Sequence, residues 1–290
     1  MKILNFGSLN LDYVYAVKEI VKPGETIDSF DLQCYPGGKG LNQSLAIRRA
    51  GHEIFHAGMI GVDGESLREL LVADGVDCTY LKVVAKRTGN AIIQVDESGQ
   101  NCIILYGGAN RMNDPSFSEA ILKNFGEGDI LLLQNEINGI DLLIEKAYQK
   151  KMYIVLNPSP INDELLKCDF SKVSLFIMNE HEGAMITGVS DESDILRVMR
   201  QKYQHAEVVL TLGEKGSIYQ YQEMVLKQPA IPAAVKDTTA AGDTFTGYYL
   251  ALKADGKTIE DCLEQASKAA ALAVGKKGAA GSIPYQDELK

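Results

Sequence analysis

Near the end of the chain, Asp237-Thr238-Thr239-Ala240-Ala241-Gly242-Asp243-Thr244-Phe245 runs from small side chains straight into an apolar stretch with Tyr249, Leu250 and Leu252. Such a run reads as the start of a helix. A helix start leaves backbone amides unpaired and carries the positive end of the helix dipole, so it binds anions readily. Ala240, Ala241 and Gly242 leave room for a phosphate to reach those amides. Asp243 puts a carboxylate at the same spot. It could take a proton from a hydroxyl while the amides hold a phosphoryl group in transfer. Plain helix capping by Asp243 is the competing explanation and needs no ligand.

A second glycine-rich turn entering a helix lies at Tyr35-Pro36-Gly37-Gly38-Lys39-Gly40-Leu41-Asn42. Lys39, Asn42 and bare backbone there suit a ligand rich in hydroxyls. It is not a phosphate loop of the G-x-x-x-x-G-K-[ST] type, because Gly40 follows Lys39, and it is not a dinucleotide fingerprint. A purely structural glycine turn would look the same. Asn10 and Asp12 flank Leu11 just past the first apolar run and share one side of an extended chain. Polar pairs beyond a strand's carboxyl end are where α/β sheets bind ligands, although a turn cap would also account for them. Gln134-Asn135-Glu136 ends another apolar run. Asn179 and Glu182 lie three apart at a helix start and face one way; oxygen ligands so placed suit Mg²⁺, chiefly through waters. Thr211-Leu212-Gly213-Glu214-Lys215-Gly216 is a tight turn, or a nucleotide cradle. The histidines at 52, 56, 181 and 205 show no metal spacing, and Met185 stands where a zinc protease motif would need histidine.

Apolar runs alternating with helical patterns must position these groups. Strands are expected at 2–6, 54–59, 130–133, 153–156, 175–178 and 208–212. Helices are expected at 38–51, 139–151, 180–187, 191–203, 243–255 and 258–275, with Leu41, Leu45 and Ala46 facing inward. A further helix through Leu67, Leu70 and Leu71 is expected to be capped by Asp63 and to end near Gly75. This order implies an α/β fold with a parallel sheet covered on both faces. Residues 11–36 and 87–106 instead alternate in period two with turn signals at Pro23-Gly24 and Ser98-Gly99. They are expected to form an antiparallel lid over the sheet's edge, on a single domain spanning 1–290.

Composition narrows the class. The 290 residues carry a formal net charge of −10, which disfavours a partner with a phosphate backbone. No apolar run reaches the roughly 18 residues of a membrane span. The N-terminus lacks a signal-peptide pattern, and Cys34, Cys78, Cys102, Cys168 and Cys262 show no paired spacing. The expectation is a cytoplasmic protein with reduced thiols.

Taken together, the chain resembles the ribokinase, or PfkB, family of carbohydrate kinases. The resemblance spans nearly the whole chain and rests on Gly37-Gly38-Lys39-Gly40-x-Asn42 and Asp237-Thr-Thr-Ala-Ala-Gly-Asp243, about 200 residues apart, with Asn179/Glu182 and Thr211 to Gly216 between them in family order. It implies a three-layer α/β/α sandwich with a small β-sheet lid that often mediates homodimers. By resemblance, Asn10, Asp12, Gly38, Lys39, Asn42 and Glu136 would hold the sugar, and Asp243 would be the base. The amides of Ala241, Gly242 and Asp243 would form the anion hole. Asn179 and Glu182 would position Mg²⁺ and phosphates, and Thr211, Gly213 and Gly216 would line ATP. A monovalent cation such as K⁺ would sit near Asp237, Thr239, Ala273, Lys276, Gly278 and Ser282. Ser267 stands where ribokinases often place an asparagine near the adenine, a departure that bears on base contacts. Lys39, with Asn10, Asp12, Asn42 and Glu136, is nearer to ribokinases than to fructokinases or nucleoside kinases, so ribose phosphorylated at its 5-hydroxyl is the first expectation. A nucleoside, fructose or 2-keto-3-deoxygluconate kinase is the alternative, and a non-catalytic binder the remote one.

Overall fold

The computed structural model describes residues 1–289. Strands β1 (Ile3–Phe6), β4 (Ile54–Gly61), β5 (Asp77–Val84), β8 (Ile130–Gln134), β9 (Tyr153–Asn157), β10 (Leu175–Asn179) and β11 (Glu207–Thr211) are mutually parallel in one nine-stranded sheet. Its order is β13-β12-β11-β10-β9-β8-β1-β4-β5, and β12 (Ser217–Tyr221) and β13 (Met224–Gln228) close one edge antiparallel.

Alternation along the buried strands explains the layers. Ile130 and Leu132 enter one apolar core with Leu41, Leu45, Phe245, Tyr248 and Leu263, whereas Leu131 and Leu133 enter a second with Ile121, Ile144 and Ile195. Successive side chains of a strand point to opposite faces. The first core is therefore covered by α1 (Lys39–Arg49), α2 (Glu65–Ala73), α7 (Ala241–Ala254) and α8 (Ile259–Val274), and the second by α3 (Pro115–Leu122), α4 (Ile140–Gln149), α5 (Glu180–Thr187) and α6 (Glu192–Lys202). Helices α1 and α7 touch almost backbone to backbone, because a Cβ on Gly247 would lie 2.3 Å from that of Ala46 and 2.9 Å from the Ile47 nitrogen. This close approach brings the two glycine-rich turns of the sequence to one place.

A second sheet, ordered β3-β2-β6-β7, combines β2 (Asn10–Ala16), β3 (Asp31–Gly37), β6 (Gly89–Val95) and β7 (Asn101–Tyr106). It is mixed rather than wholly antiparallel: the two hairpins join through a parallel β2–β6 pairing. Asp12 pairs across to Tyr35 and Ala91 on one face, while Leu32, Ile92, Ile104 and Tyr106 lie on the other and are exposed.

Two expectations about helix starts need correction. Asp63 does not cap α2: its Oδ1 accepts from the Thr88 amide at 2.9 Å and the Thr88 hydroxyl at 2.7 Å, and the cap position falls to Gly64 without a side-chain bond. Asp63 therefore ties the end of β4 to the small sheet. Helix α7 starts two residues earlier than expected, with Ala240 at its cap in the left-handed region (φ 61°). That backbone costs an alanine of order 1–2 kcal/mol and places Asp243 inside the first turn. All five cysteines are free, and among the described residues no helix is long and apolar enough to cross a membrane.

Candidate active site

The parallel strands end at one rim. The chain leaves β1 for Asn10, β8 for Glu136, β10 for Asn179 and β11 at Thr211, so the polar groups gather at the carboxyl edge of the sheet, where open α/β sheets bind ligands. Gly38 starts α1 with φ 95°, a backbone that glycine adopts without strain. That turn delivers Lys39 and Asn42 to the same rim.

The Asp243 side chain does not cap its helix. Its Oδ2 accepts from Asn42 Nδ2 at 3.0 Å and its Oδ1 from Gln43 Nε2 at 2.8 Å, both from α1. The capping explanation is thereby removed, since the cap makes no side-chain bond. Among the first-turn amides, that of Ala241 turns back to the Thr238 carbonyl at 3.2 Å. Gly242 is exposed, and a Cβ built on it would meet nothing within 4 Å. No packing demand thus explains a glycine there, whereas an approaching phosphate would need that space.

Glu136 is held by Ser8: the Ser8 hydroxyl donates to Glu136 Oε2, and the Lys39 amide donates to the same oxygen at 2.9 Å. Asp12 lies against Gly37, where a Cβ would come 2.0 Å from its Oδ2. Burial first, and then the charge of Glu136, push the Asp12 carboxyl up to about 7. Burial alone would lower the Lys39 ammonium, but Asp243, Glu136 and Glu182 outweigh it and raise its pKa. Lys39 is therefore a firmly charged cation among carboxylates. Asn10 is buried, and its Oδ1 accepts from Asn110 Nδ2 at 2.8 Å. Asn42 Oδ1 is buried without a partner. A buried acceptor left unmade is unfavourable, so this atom is poised for a ligand's donor. Asn10, Asp12, Gly38, Lys39, Asn42, Glu136 and Asp243 thus form one cluster.

The expected nucleotide residues lie at the ends of β10 and β11, in the turn that follows, and on α8. Asn179 and Thr211 are register partners on β10 and β11. Gly213 and Gly216 lie in the following turn, and a side chain on Gly216 would come 2.0 Å from the Gln228 carbonyl. Ser267 is buried on α8. Asn179 and Glu182 form a capping box: Glu182 accepts from the Asn179 amide at 3.0 Å, and its own amide donates back to Asn179 Oδ1 at 2.9 Å. The spacing thus has a local structural role, and the nearly buried Glu182 still contributes charge toward Lys39.

Around Asp237, Oδ1 accepts from the Thr239 amide at 2.9 Å and hydroxyl at 2.6 Å, and Oδ2 from the Gly278 amide at 2.9 Å. Partial burial works against this carboxylate, but these bonds outweigh it and hold its pKa low. The Ala273 carbonyl accepts from the Lys276 amide, the Ser282 hydroxyl donates to the Ala279 carbonyl, and the Lys276 ammonium turns away to Glu288 at 2.7 Å. Lys276 therefore does not replace a cation at Asp237.

Sequence reasoning missed Ser8, Gln43 and Asn157. Each is a buried polar residue whose partner lies far along the chain, as in Ser8–Glu136, Gln43–Asp243 and Gln43–Asn157. Only the position of Gln43, next to Asn42 at the glycine-rich helix start, hinted at a role.

Comparison with known proteins agrees with this geometry. The family described as pfkB family carbohydrate kinase matches residues 1–286. A ribokinase of Haemophilus influenzae is 34% identical over 300 residues, covering 97% of this chain and 95% of that protein. The structure of a ribokinase from Cryptococcus neoformans var. grubii serotype A in complex with ADP superposes with a TM-score of 0.86 at 32% identity, covering 99% of this chain and 98% of that one. The structure of Arabidopsis thaliana ribokinase complexed with ribose and ATP also gives a TM-score of 0.86 at 32% identity, covering 99% and 97%.

Proposed function

Since the chain belongs to the pfkB family of carbohydrate kinases, we propose that this ATP-dependent carbohydrate kinase transfers the γ-phosphate to the 5-hydroxyl of ribose. The observation that carries the reading is the meeting, at one rim, of Asp243 with Asn42, whose unpartnered Oδ1 awaits a hydroxyl donor. Ribose would offer its hydroxyls to Asp12, Asn42 and Glu136, and would be enclosed by Gly38, Lys39 and Asn10. Asp243 would accept the 5-hydroxyl proton. The amides of Gly242 and Asp243, with Ala241 once it releases Thr238, would hold the phosphoryl group as charge develops on it. Lys39 would neutralise the surrounding carboxylates as the polyanionic nucleotide arrives. Thr211, Gly213, Gly216 and Ser267 would line the nucleotide beside Asn179.

Among the described residues no group of three or more His, Cys, Asp or Glu could hold a metal ion. The carboxylate of Glu182 and the amide oxygen of Asn179 would be the protein neighbours of a Mg²⁺ carried on the ATP phosphates through waters. Mg²⁺ would supply neutralisation of phosphate charge. A monovalent cation would lie among carbonyls and the Asp237 carboxylate, with Thr239, Ala273, Lys276, Gly278 and Ser282 in the surrounding loops, and would stiffen the approach to the anion hole. Replacing K⁺ with Na⁺ is expected to lower kcat; activity indifferent to both ions, unchanged when both are left out, would remove the cation from that loop.

The exposed apolar face of the small sheet, with Ile104 at 59% exposure beside Leu32, Ile92 and Tyr106, is an unusual surface for a free chain. We assign it to a second copy of this chain. Light scattering is expected to give the mass of two chains, and a single-chain mass at micromolar concentration would refute the assignment.

The Asp12 carboxyl gives a pH dependence. Below about pH 7 it is protonated in the free enzyme, and a neutral carboxyl accepts hydroxyls less well than a carboxylate. The KM for ribose is therefore expected to fall as pH rises toward 7 and to level above it, and Asp12→Asn is expected to abolish the trend. The same shift acts on stability in the opposite sense. The folded chain keeps this proton up to about 7, whereas the unfolded chain loses it near 3.8. This group's contribution therefore declines as pH rises through that window.

Turnover against ribose, deoxyribose, fructose, adenosine, other nucleosides and 2-keto-3-deoxygluconate tests the acceptor. The expected result is a kcat/KM for ribose well above the others. A preference for another acceptor would keep the kinase and overturn ribose.

A further inference from the structure

Gln43 is completely buried, yet its amide ends on the carboxylate proposed as the base. Its Nε2 donates to Asp243 Oδ1 at 2.8 Å and to Asn157 Oδ1 at 3.1 Å, while its Oε1 accepts from Gln134 Nε2 at 2.7 Å. The direction of these amides is dictated from both ends. Asn157 Nδ2 donates to the Ile177 carbonyl at 2.8 Å, and a carbonyl can only accept, so Asn157 must turn its oxygen to Gln43. At the other end Asn5 Nδ2 donates to the Gly40 carbonyl at 2.7 Å, so Asn5 turns its oxygen to Gln134 Nε2 at 3.0 Å. Gln134 must then offer its N–H groups to both Asn5 and Gln43. A flipped Gln43 would set an oxygen against a carboxylate and face two N–H groups with each other. None of these amides can pass on a proton. Beyond them Asn5 Nδ2 also reaches Ser44 Oγ at 2.8 Å, which contacts His56 Nδ1 at 2.8 Å.

We infer that Gln43 is a positioning residue: a one-way chain of amides, anchored on the Gly40 and Ile177 carbonyls, fixes the rotation of the Asp243 carboxylate and keeps it an acceptor aimed at the sugar hydroxyl. The inference rests on Asp243 being the base. It assigns Gln43 no contact with either substrate, so loss of its amide alters kcat and leaves binding alone.

The test uses the full chain with Gln43→Met, which matches the length and bulk of glutamine without its donor, alongside Asp243→Asn and the double variant. Steady-state rates with ribose and ATP are read together with thermal melts. Gln43→Met is expected to lower kcat by about tenfold to a hundredfold, as a misaligned base does, with KM for both substrates within about threefold. In the Asp243→Asn background it is expected to remove nothing further, because both changes act through one group. An unchanged kcat in folded Gln43→Met, or losses that multiply in the double variant, would overturn the inference while leaving the base in place. Retained turnover in Asp243→Asn would instead overturn the base assignment, and this inference with it. If Gln43→Met melts below the assay temperature, Gln43→Leu, which also lacks the donor, is assayed below its own melting temperature and is expected to show the same loss of kcat with KM preserved; full turnover there is equally decisive against the role.

Discussion

Asp243→Asn is expected to lower kcat by about 10²–10⁴-fold, the range for losing a general base, while the enzyme still folds and binds ribose and ATP. The substitution changes one oxygen for nitrogen in a side chain whose neighbours are the Asn42 and Gln43 amides. The amide oxygen can still accept from one of them, so the α1–α7 contact persists and the protein is expected to melt within a few degrees of the original. What is lost is the acceptor for the hydroxyl proton and the charge near Lys39. Loss confined to kcat is the signature of an interaction made in the transition state. A variant that turned over at near the original rate would exclude Asp243 as the base.

Lys39→Met is expected to lower kcat/KM by roughly two to three powers of ten, the roughly 2.7–4 kcal/mol lost when one electrostatic contact to the transition state is removed. Lys39 is half-buried and faces Asp243, Glu136 and Glu182. Without it those carboxylates, with Asp12 nearby, would meet the triphosphate unopposed. Lys39→Arg is expected to rescue little, since a planar fork does not replace a compact ammonium. Rates within a few-fold of the original enzyme would show that charge balance at the rim does not limit transfer.

The layered fold was legible because it is written in short-range alternation. Ile130 to Leu133 send successive side chains to two cores, and the helical spacing of Leu41 and Leu45 puts both in the first of these cores, fully buried. The glycine-rich turns were legible for the same reason, since Gly38 and Gly242 act within a few residues of themselves. What was not legible depends on partners distant in sequence or on a single unusual dihedral. Asp63 had the right type and place for a cap, but Thr88 offered it two donors. Helix α7 starts at an alanine in the left-handed region, which residue preferences do not anticipate, and this shift separates Asp243 from the capping role. The N-x-x-E spacing of Asn179 and Glu182 pointed to oxygens for a metal, and the capping box that the same pair also forms was not read from it. The parallel β2–β6 pairing joins residues 79 apart in the chain, as in Asn10 with Gly89, and no local pattern announces it. Gln43 is the extreme case, because nothing around it in sequence indicates a carboxylate 200 residues away.

The most direct test is to incubate the purified protein with ribose, ATP, Mg²⁺ and K⁺ and to identify the phosphorylated product by phosphorus NMR. Ribose 5-phosphate formed in equal amount with ADP, its phosphorus coupled to the protons on C5, is the expected result. Phosphate on another oxygen, ADP released with inorganic phosphate, or no consumption of ATP would contradict transfer to the 5-hydroxyl at this site.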